Sequence, residues 1–328
     1  MIIFNSILRD ELTNFLNLRK ISKCKSIYDH DKSLLRKFDE YLCDISCKEK
    51  NLTEKQLTGW VKTLSGGTRT IVAKIVVIRI FLNQLKSYGF YSYMPPVPKT
   101  HDDYIPYIFS EIELNNIFHI TDNLKKSCNV QKNTLIHMEQ PMILRLMYGC
   151  GLRIGETLAL KMKDVDLATG VLTLKHTKKN KQRIIPMHHS LIEILKHYCM
   201  AMGIVGCPES YLFPTKNILE SVTPKNARHK FNDILNQAKI FLPDRKKSQR
   251  GPCLHCLRHI FVFKAFANAE KNGHRIDDIV PYLSIYLGHD SLKETDKYLK
   301  FSSELFPKAM ELFGQYTAQI FPEVNYDE

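Results

Sequence analysis

Between Gly251 and Leu299 the sequence sets out His255-Cys256-Leu257-Arg258, then a long helical passage, then Leu287-Gly288-His289 and, nine residues on, Tyr298. A guanidinium, two imidazoles and a phenol in one pocket would suit a phosphodiester above other substrates. Arginine offers a planar fork of donors matched to phosphate oxygens. Histidine donates to or accepts from the same centre near neutral pH. Tyrosine can attack phosphorus and hold the phosphoryl group as a covalent ester. Taken singly, each residue reads as ordinary structure: a histidine inside a helical segment is more often structural than chemical, and the chain has 15 tyrosines. The chemistry therefore requires a second set of phosphate ligands elsewhere.

That set lies upstream. Gln140 to Cys150 has helical spacing and stops at Gly149-Cys150-Gly151, where a glycine can cap the helix. Leu152 to Leu160 then predicts a short helix starting at Arg153, whose backbone donors would assist anion binding beside that side chain. The period next shifts to two. Gly170 to Thr177 and Gln182 to Met187 predict two strands joined by Lys178-Lys179-Asn180-Lys181. Five of the nine residues from Lys175 to Arg183 are basic, so this tip is either a solvated turn or an element that enters a DNA groove and sets a lysine on a phosphate.

Helices must position these pieces. Residues 7 to 88 predict a helical domain, with Leu34, Leu35, Phe38, Tyr41, Leu42 and Ile45 on one face. Thr53 with Glu54 and Gln56 has the form of a capping box for a helix to Leu64. A helix from Thr68 to about Tyr88 has Val72, Ile75, Val76, Ile78, Leu82 and Leu85 as its apolar side, and Arg69, Lys74, Arg79 and Lys86 as its basic one. From Gly89 to Pro106, four prolines rule out a continuing helix. Ser110 and Glu113 form a second capping box. The expected division is 1–94, a linker at 95–109, and 110–328. Later helices are expected at Leu191 to Met200, from Thr223-Pro224 to about Lys239, and at Ser302 to Phe321, with loops at Asn217 to Thr223 and Phe241 to Gly251.

Lys plus Arg exceed Asp plus Glu by 47 to 34, giving +13, which suits a polyanionic partner. Nine cysteines, odd in number and scattered through apolar runs, predict buried thiols in a reducing compartment and no disulfide framework. No apolar run reaches membrane-spanning length, and Met1 to Ser6 lacks the features of a signal peptide, so a cytoplasmic location is expected. Cys253-Leu254-His255-Cys256 is a CxxC without a second ligand pair to complete a zinc site.

In chain order the candidates are Arg153, Lys178, His255-x-x-Arg258, His289 and Tyr298, set within Gly151-Leu152-Arg153-Ile154-Gly155-Glu156 and Leu287-Gly288-His289. This pattern resembles the tyrosine recombinases, or phage integrase family, most of all those of bacterial transposons and integrative elements. The match is specific between about 140 and 300 and general in the amino-terminal helices. It implies a mainly α (α+β) protein: a four-helix core-DNA-binding domain at 1–94, then a mostly helical catalytic domain carrying a small antiparallel β-sheet. Arg153 and Arg258 would clamp the phosphate, Lys178 would be the lysine of the β-turn, and His255 and His289 would take the histidine positions. Tyr298 would be the nucleophile and Glu156 a supporting acid. Lys179 and Lys181 compete with Lys178 for the lysine role, and either histidine could share the Tyr298 proton.

By the same resemblance, cleavage would leave a 3′-phosphotyrosine and a free 5′ hydroxyl, and a second DNA end would reverse the attack. No cofactor or metal is implied. The implied partner is double-stranded DNA, held by a homotetramer on synapsed sites and by a monomer when free, with helix 302–321 exchanged between protomers or packed within its own. The competing readings are a type IB topoisomerase-like relaxation of DNA and a non-catalytic DNA-binding regulator, the latter disfavoured by the intact residue set.

Overall fold

The computed structural model describes residues 3–100, 106–124, 135–175, 182–242, 251–296 and 298. Two compact units divide at Asp103 and Tyr104. The fold is mainly helical with one small antiparallel sheet. Lys178 and its neighbouring turn, the basic stretch 245–250 and the expected helix 302–321 lie outside the described residues.

The first unit is built from α1 (Arg9–Ser22), α2 (Lys25–Asp44), α3 (Glu54–Thr63) and α4 (Thr68–Ser87). Its core gathers Leu12, Phe15, Leu35, Phe38, Trp60, Ile78 and Phe81. Phe38 meets both Trp60 and Phe81 edge-on, at centroid distances of 5.1 and 6.3 Å. This geometry adds quadrupole attraction to the burial of apolar area. The capping box at α3 is present, with Thr53 accepting from the Gln56 backbone and Gln56 accepting in return. Two expected faces need correction. Val76 is 39% exposed while Val77 is buried, because α4 turns its 75, 78, 82 and 85 positions inward and 77, not 76, stands beside them. Ile45 lies just past the end of α2 and is exposed. Part of the basic side of α4 is spent on backbone carbonyls, with Lys74 donating to Ser65 and Arg79 to Pro95.

The second unit contains α5 (Glu111–Asp122), α6 (Ile136–Cys150), α7 (Ile154–Ala159) and a 3-10 turn (Met162–Asp164). The sheet follows, with β1 (Val165–Asp166), β2 (Val171–Leu174) and β3 (Arg183–Pro186) in that order and antiparallel. Then come α8 (His189–Ala201), α9 (Pro224–Gln237), α10 (Leu254–Lys271), α11 (Ile276–Leu287) and α12 (Leu292–Asp296). Helix α6 buries Met142, Ile143, Leu144, Leu146 and Met147, a broad apolar face interrupted by Arg145, and forms the centre of this core. Helix α10 packs along it. The cysteines divide: Cys150, Cys199 and Cys256 are buried, but Cys24 and Cys43 are exposed, which corrects the expectation of uniformly buried thiols. Cys24 sits at the break before α2 and Cys43 on its outer face, where sequence hydropathy does not fix orientation.

One carboxyl in this core stands out energetically. Both side-chain oxygens of Glu139, in the first turns of α6, are buried with no hydrogen-bond partner, and burial pushes the group up to about 8. A carboxyl whose folded value is raised favours the native state fully below its ordinary 4.5, and that contribution is lost as pH rises through about 8. A Glu139→Gln variant should therefore match wild type in acid and exceed it in melting temperature at pH 8 and above. Equal melting temperatures across that range would contradict the assignment.

Candidate functional site

Two helix ends build the cationic part of the site. α6 closes on Gly151 in the left-handed region (φ 62°), and α11 closes on Gly288 in the same way (φ 63°). At both positions a side chain would be strained and obstructed. A Cβ on Gly151 would come within 2.6 Å of Phe261, and one on Gly288 within 2.9 Å of Arg183. The carbonyls left at these ends receive the arginines. Arg258 donates through Nη1 to Gly151 O at 2.5 Å and through Nη2 to Leu287 O at 2.8 Å. Arg153 donates to Leu287 O at 3.2 Å and to Gly288 O at 3.4 Å. The negative end of the α11 dipole thus faces two guanidinium groups.

Glu156 binds the cluster together. Its carboxylate accepts from Arg153 Nη1 at 2.9 Å and from both Nη atoms of Arg183, at 3.1 and 2.8 Å, while Arg258 Nη1 stands 4.0 Å away. It also accepts from the Arg153 backbone N–H at 3.0 Å, which makes Arg153 the N-cap of α7. This corrects the expected helix start at Arg153: the helix begins at Ile154, and the Arg153 N–H is taken by Glu156. Burial pushes the Glu156 carboxyl up, but the Arg183 and Arg153 hydrogen bonds and charges outweigh it, leaving the group below its ordinary value.

The two arginines divide their exposure. Arg258 is 1% exposed and Arg153 is 27% exposed, so one is sunk in the floor and the other reaches the opening. Burial, with Arg153 nearby, lowers Arg258 to about 10, which still leaves a cation at neutral pH. Three hydrogen bonds use fewer donors than either guanidinium carries, so both retain capacity for phosphate oxygens.

His289 follows the α11 cap, and its Nε2 lies 3.1 Å from Arg258 Nη2. A guanidinium only donates, so Nε2 accepts and the imidazole is neutral with its proton on Nδ1, facing Thr295 Oγ1 at 2.7 Å. Burial and the charges of Arg258, Arg153 and Arg183 lower His289 to about 3. Tyr298 packs edge-on against Phe263 with centroids 5.7 Å apart, and its ring lies parallel to that of His289 at 6.5 Å. Its phenol oxygen meets His259 Nδ1 at 2.9 Å. Burial raises the phenol above its ordinary value, while Arg258 and Arg153 pull it back.

Arg153, His255, Arg258, His289 and Tyr298 line one cavity of about 400 Å³, joined by Asp290 and Glu294. Five of the six sequence candidates therefore meet in one place, and the sixth, Lys178, lies outside the described residues. His255 is exposed and makes an edge contact with the His259 ring at 4.6 Å. Two side chains outside the candidate phosphate-binding set adjoin the site. His259 stands four residues from His255, one helical turn, so the pair shares a face of α10. Arg183 shares the inward face of β3 with the core residue Ile185. Among the described residues, no group of His, Cys, Asp and Glu is arranged to hold a metal ion, and no helix is long and apolar enough to cross a membrane.

This fold and this set of side chains define a domain of the tyrosine recombinase type. Residues 111–304 match the family model described as "Phage integrase family", and the chain belongs to that family. It is similar to a Sinorhizobium fredii protein carrying the name integrase/recombinase y4rB, 30% identical over 212 residues, 62% of this chain and 64% of that protein. It thus spans less than two thirds of that relative's length. Tyrosine recombinase XerC of Chlorobaculum parvum is 28% identical over 260 residues, covering 74% of this chain and 73% of its own. In fold the chain resembles the Tn1549 transposon integrase in complex with transposon right end DNA, with a TM-score of 0.64, 15% identity, and 94% and 99% of the two chains covered. It also resembles the XerH recombinase bound to palindromic difH substrate, with a TM-score of 0.63, 19% identity, and 96% and 91% covered.

Proposed function

We propose that the protein is a site-specific DNA recombinase that cleaves and rejoins strands through a 3′-phosphotyrosine, serving integration or excision of a mobile element. The observation that carries this reading is the placement of the Tyr298 phenol in the same cavity as the Arg153 and Arg258 guanidiniums. A phosphodiester under attack gathers negative charge on its non-bridging oxygens, and two fixed cations lower that barrier without reorganising. Tyr298 Oη forms the new bond to phosphorus as its proton passes to a histidine of the pocket, the bond to the 5′ oxygen breaks, and a cation donates a proton to that oxygen. Lys178 is the residue proposed for the last step. The ester keeps the bond energy, so a 5′ hydroxyl from another end can reverse the step.

In this reading the four helices of residues 1–94 clasp the duplex, 95–109 link them to the catalytic part at 110–328, and a homotetramer assembles on synapsed sites in the cytoplasm. The +13 charge and the likeness to recombinases solved with DNA support a duplex partner. The test is a nicked duplex carrying the element boundary, from which the short 5′-hydroxyl fragment diffuses away after cleavage. The protein should be trapped on the 3′ side in a complex that survives boiling in SDS, and protease digestion should leave a phosphotyrosine peptide. No such complex on any boundary duplex that the protein binds would overturn the proposal.

A further inference from the structure

His259 holds the phenol oxygen of the tyrosine: its Nδ1 lies 2.9 Å from Tyr298 Oη in a buried contact. We infer that His259 is a catalytic residue, the base that takes the phenol proton as Tyr298 attacks phosphorus. This rests on the strand-cleavage reading above.

The geometry excludes His289 from that role. Its Nε2 accepts from Arg258 and its Nδ1 faces Thr295, so both nitrogens are engaged. His255 is exposed at the cavity mouth, with its ring edge-on to that of His259 at 4.6 Å. His259 is 5% exposed, one turn below His255 on α10, and Phe263, one turn further, seats the tyrosine ring. The nucleophile is thereby held by one helix at both ring and oxygen. The charged and titratable groups around the pair are His255 and Arg258 on α10, Arg153 before α7, Arg183 on β3, His289 and Asp290 after α11 and Glu294 on α12. The step balances. The O–P bond forms as the proton passes from Oη to His259 Nδ1, the P–O5′ bond breaks, and a separate acid protonates the 5′ oxygen. Ligation runs the same transfer backwards, with His259 returning the proton to Oη.

Single-turnover cleavage of the nicked duplex tests this with His259→Asn and His259→Ala. Asparagine places an acceptor near the Nδ1 position and keeps the phenol hydrogen bond, but it takes no proton near neutral pH. Both variants should bind the duplex as wild type does and cleave about 10²-fold more slowly or worse. Wild type should lose rate as falling pH protonates the imidazole, and His259→Asn should lack that limb. A duplex with sulfur in place of the 5′ bridging oxygen needs no acid for its leaving group, so the His259 defect should persist on it. Wild-type cleavage by His259→Asn would overturn the inference, as would full recovery on the sulfur duplex, which would move His259 to the leaving-group side. If neither variant folds, the wild-type profile on the sulfur duplex decides: an acid limb supports the base, and a flat profile overturns it. Failure of wild type itself to form a covalent complex would instead sink the recombinase reading.

Discussion

Tyr298→Phe is expected to abolish covalent capture of a nicked duplex, to below detection, while leaving DNA binding unchanged. The substitution removes one oxygen. The ring keeps its edge contact with Phe263 and its place among Val262, Phe266, Val280 and Leu283, so the packing between α10 and α11 survives. What is lost structurally is the hydrogen bond to His259, with a stability change on the order of 1–3 kcal/mol when a buried partner is left unsatisfied. The chemical loss is total, because phenylalanine has no lone pair to give phosphorus. The measurement is an SDS gel of variant and wild type on the same duplex, with binding followed by a gel shift and folding by a thermal melt. A covalent band from Tyr298→Phe would move the nucleophile to another side chain and remove the reason for grouping the cavity residues as one centre.

Much of this arrangement was legible in the sequence because local chemistry and global fold agree there. Thr53 and Ser110 each announce a helix start through an acceptor three residues on, and both boxes form. Gly151 marks a helix end because it stands where an L side chain would be strained, and Gly288 does the same at the end of α11, although the sequence did not single it out. The candidate residues were legible as an ordered set along the chain, since phosphate chemistry narrows the choice to a few side chains. Other features were not. Val76 and Val77 are equally apolar, and only packing of α4 against its neighbours decides which turns inward. His259 looks like any helical histidine until α11 brings Tyr298 onto it, 39 residues later in the chain. Arg183 read as one more basic residue of a hairpin, although alternation with Ile184 places it inward. The strand period held that information, and the partner that makes an inward arginine tolerable, Glu156, lies 27 residues away.

Glu156→Ala is expected to destabilise the second unit by roughly 3–5 kcal/mol, the range for removing one partner from a buried ionic cluster. With its side chain 4% exposed, the carboxylate is the anion shared by Arg153, Arg183 and Arg258. Without it, three guanidiniums confront one another with little water to screen them, and Arg153 loses the contact that aims it at the cavity. Cleavage should fall along with stability. Glu156→Gln separates charge from shape, since an amide can still accept from Arg183 or Arg153 while leaving the cluster without its counter-ion. Its deficit should be largest at neutral pH and shrink in acid. The folded Glu156 carboxyl lies below its ordinary value of 4.5, so its contribution is complete above that pH and is lost as pH falls through the lower, folded value. Urea unfolding of wild type and Glu156→Gln, followed from pH 7 downward, should give stability curves that converge in that acid window. Curves that stay parallel would mean the carboxylate acts through its shape and hydrogen bonds, and the three arginines would then need another source of compensation.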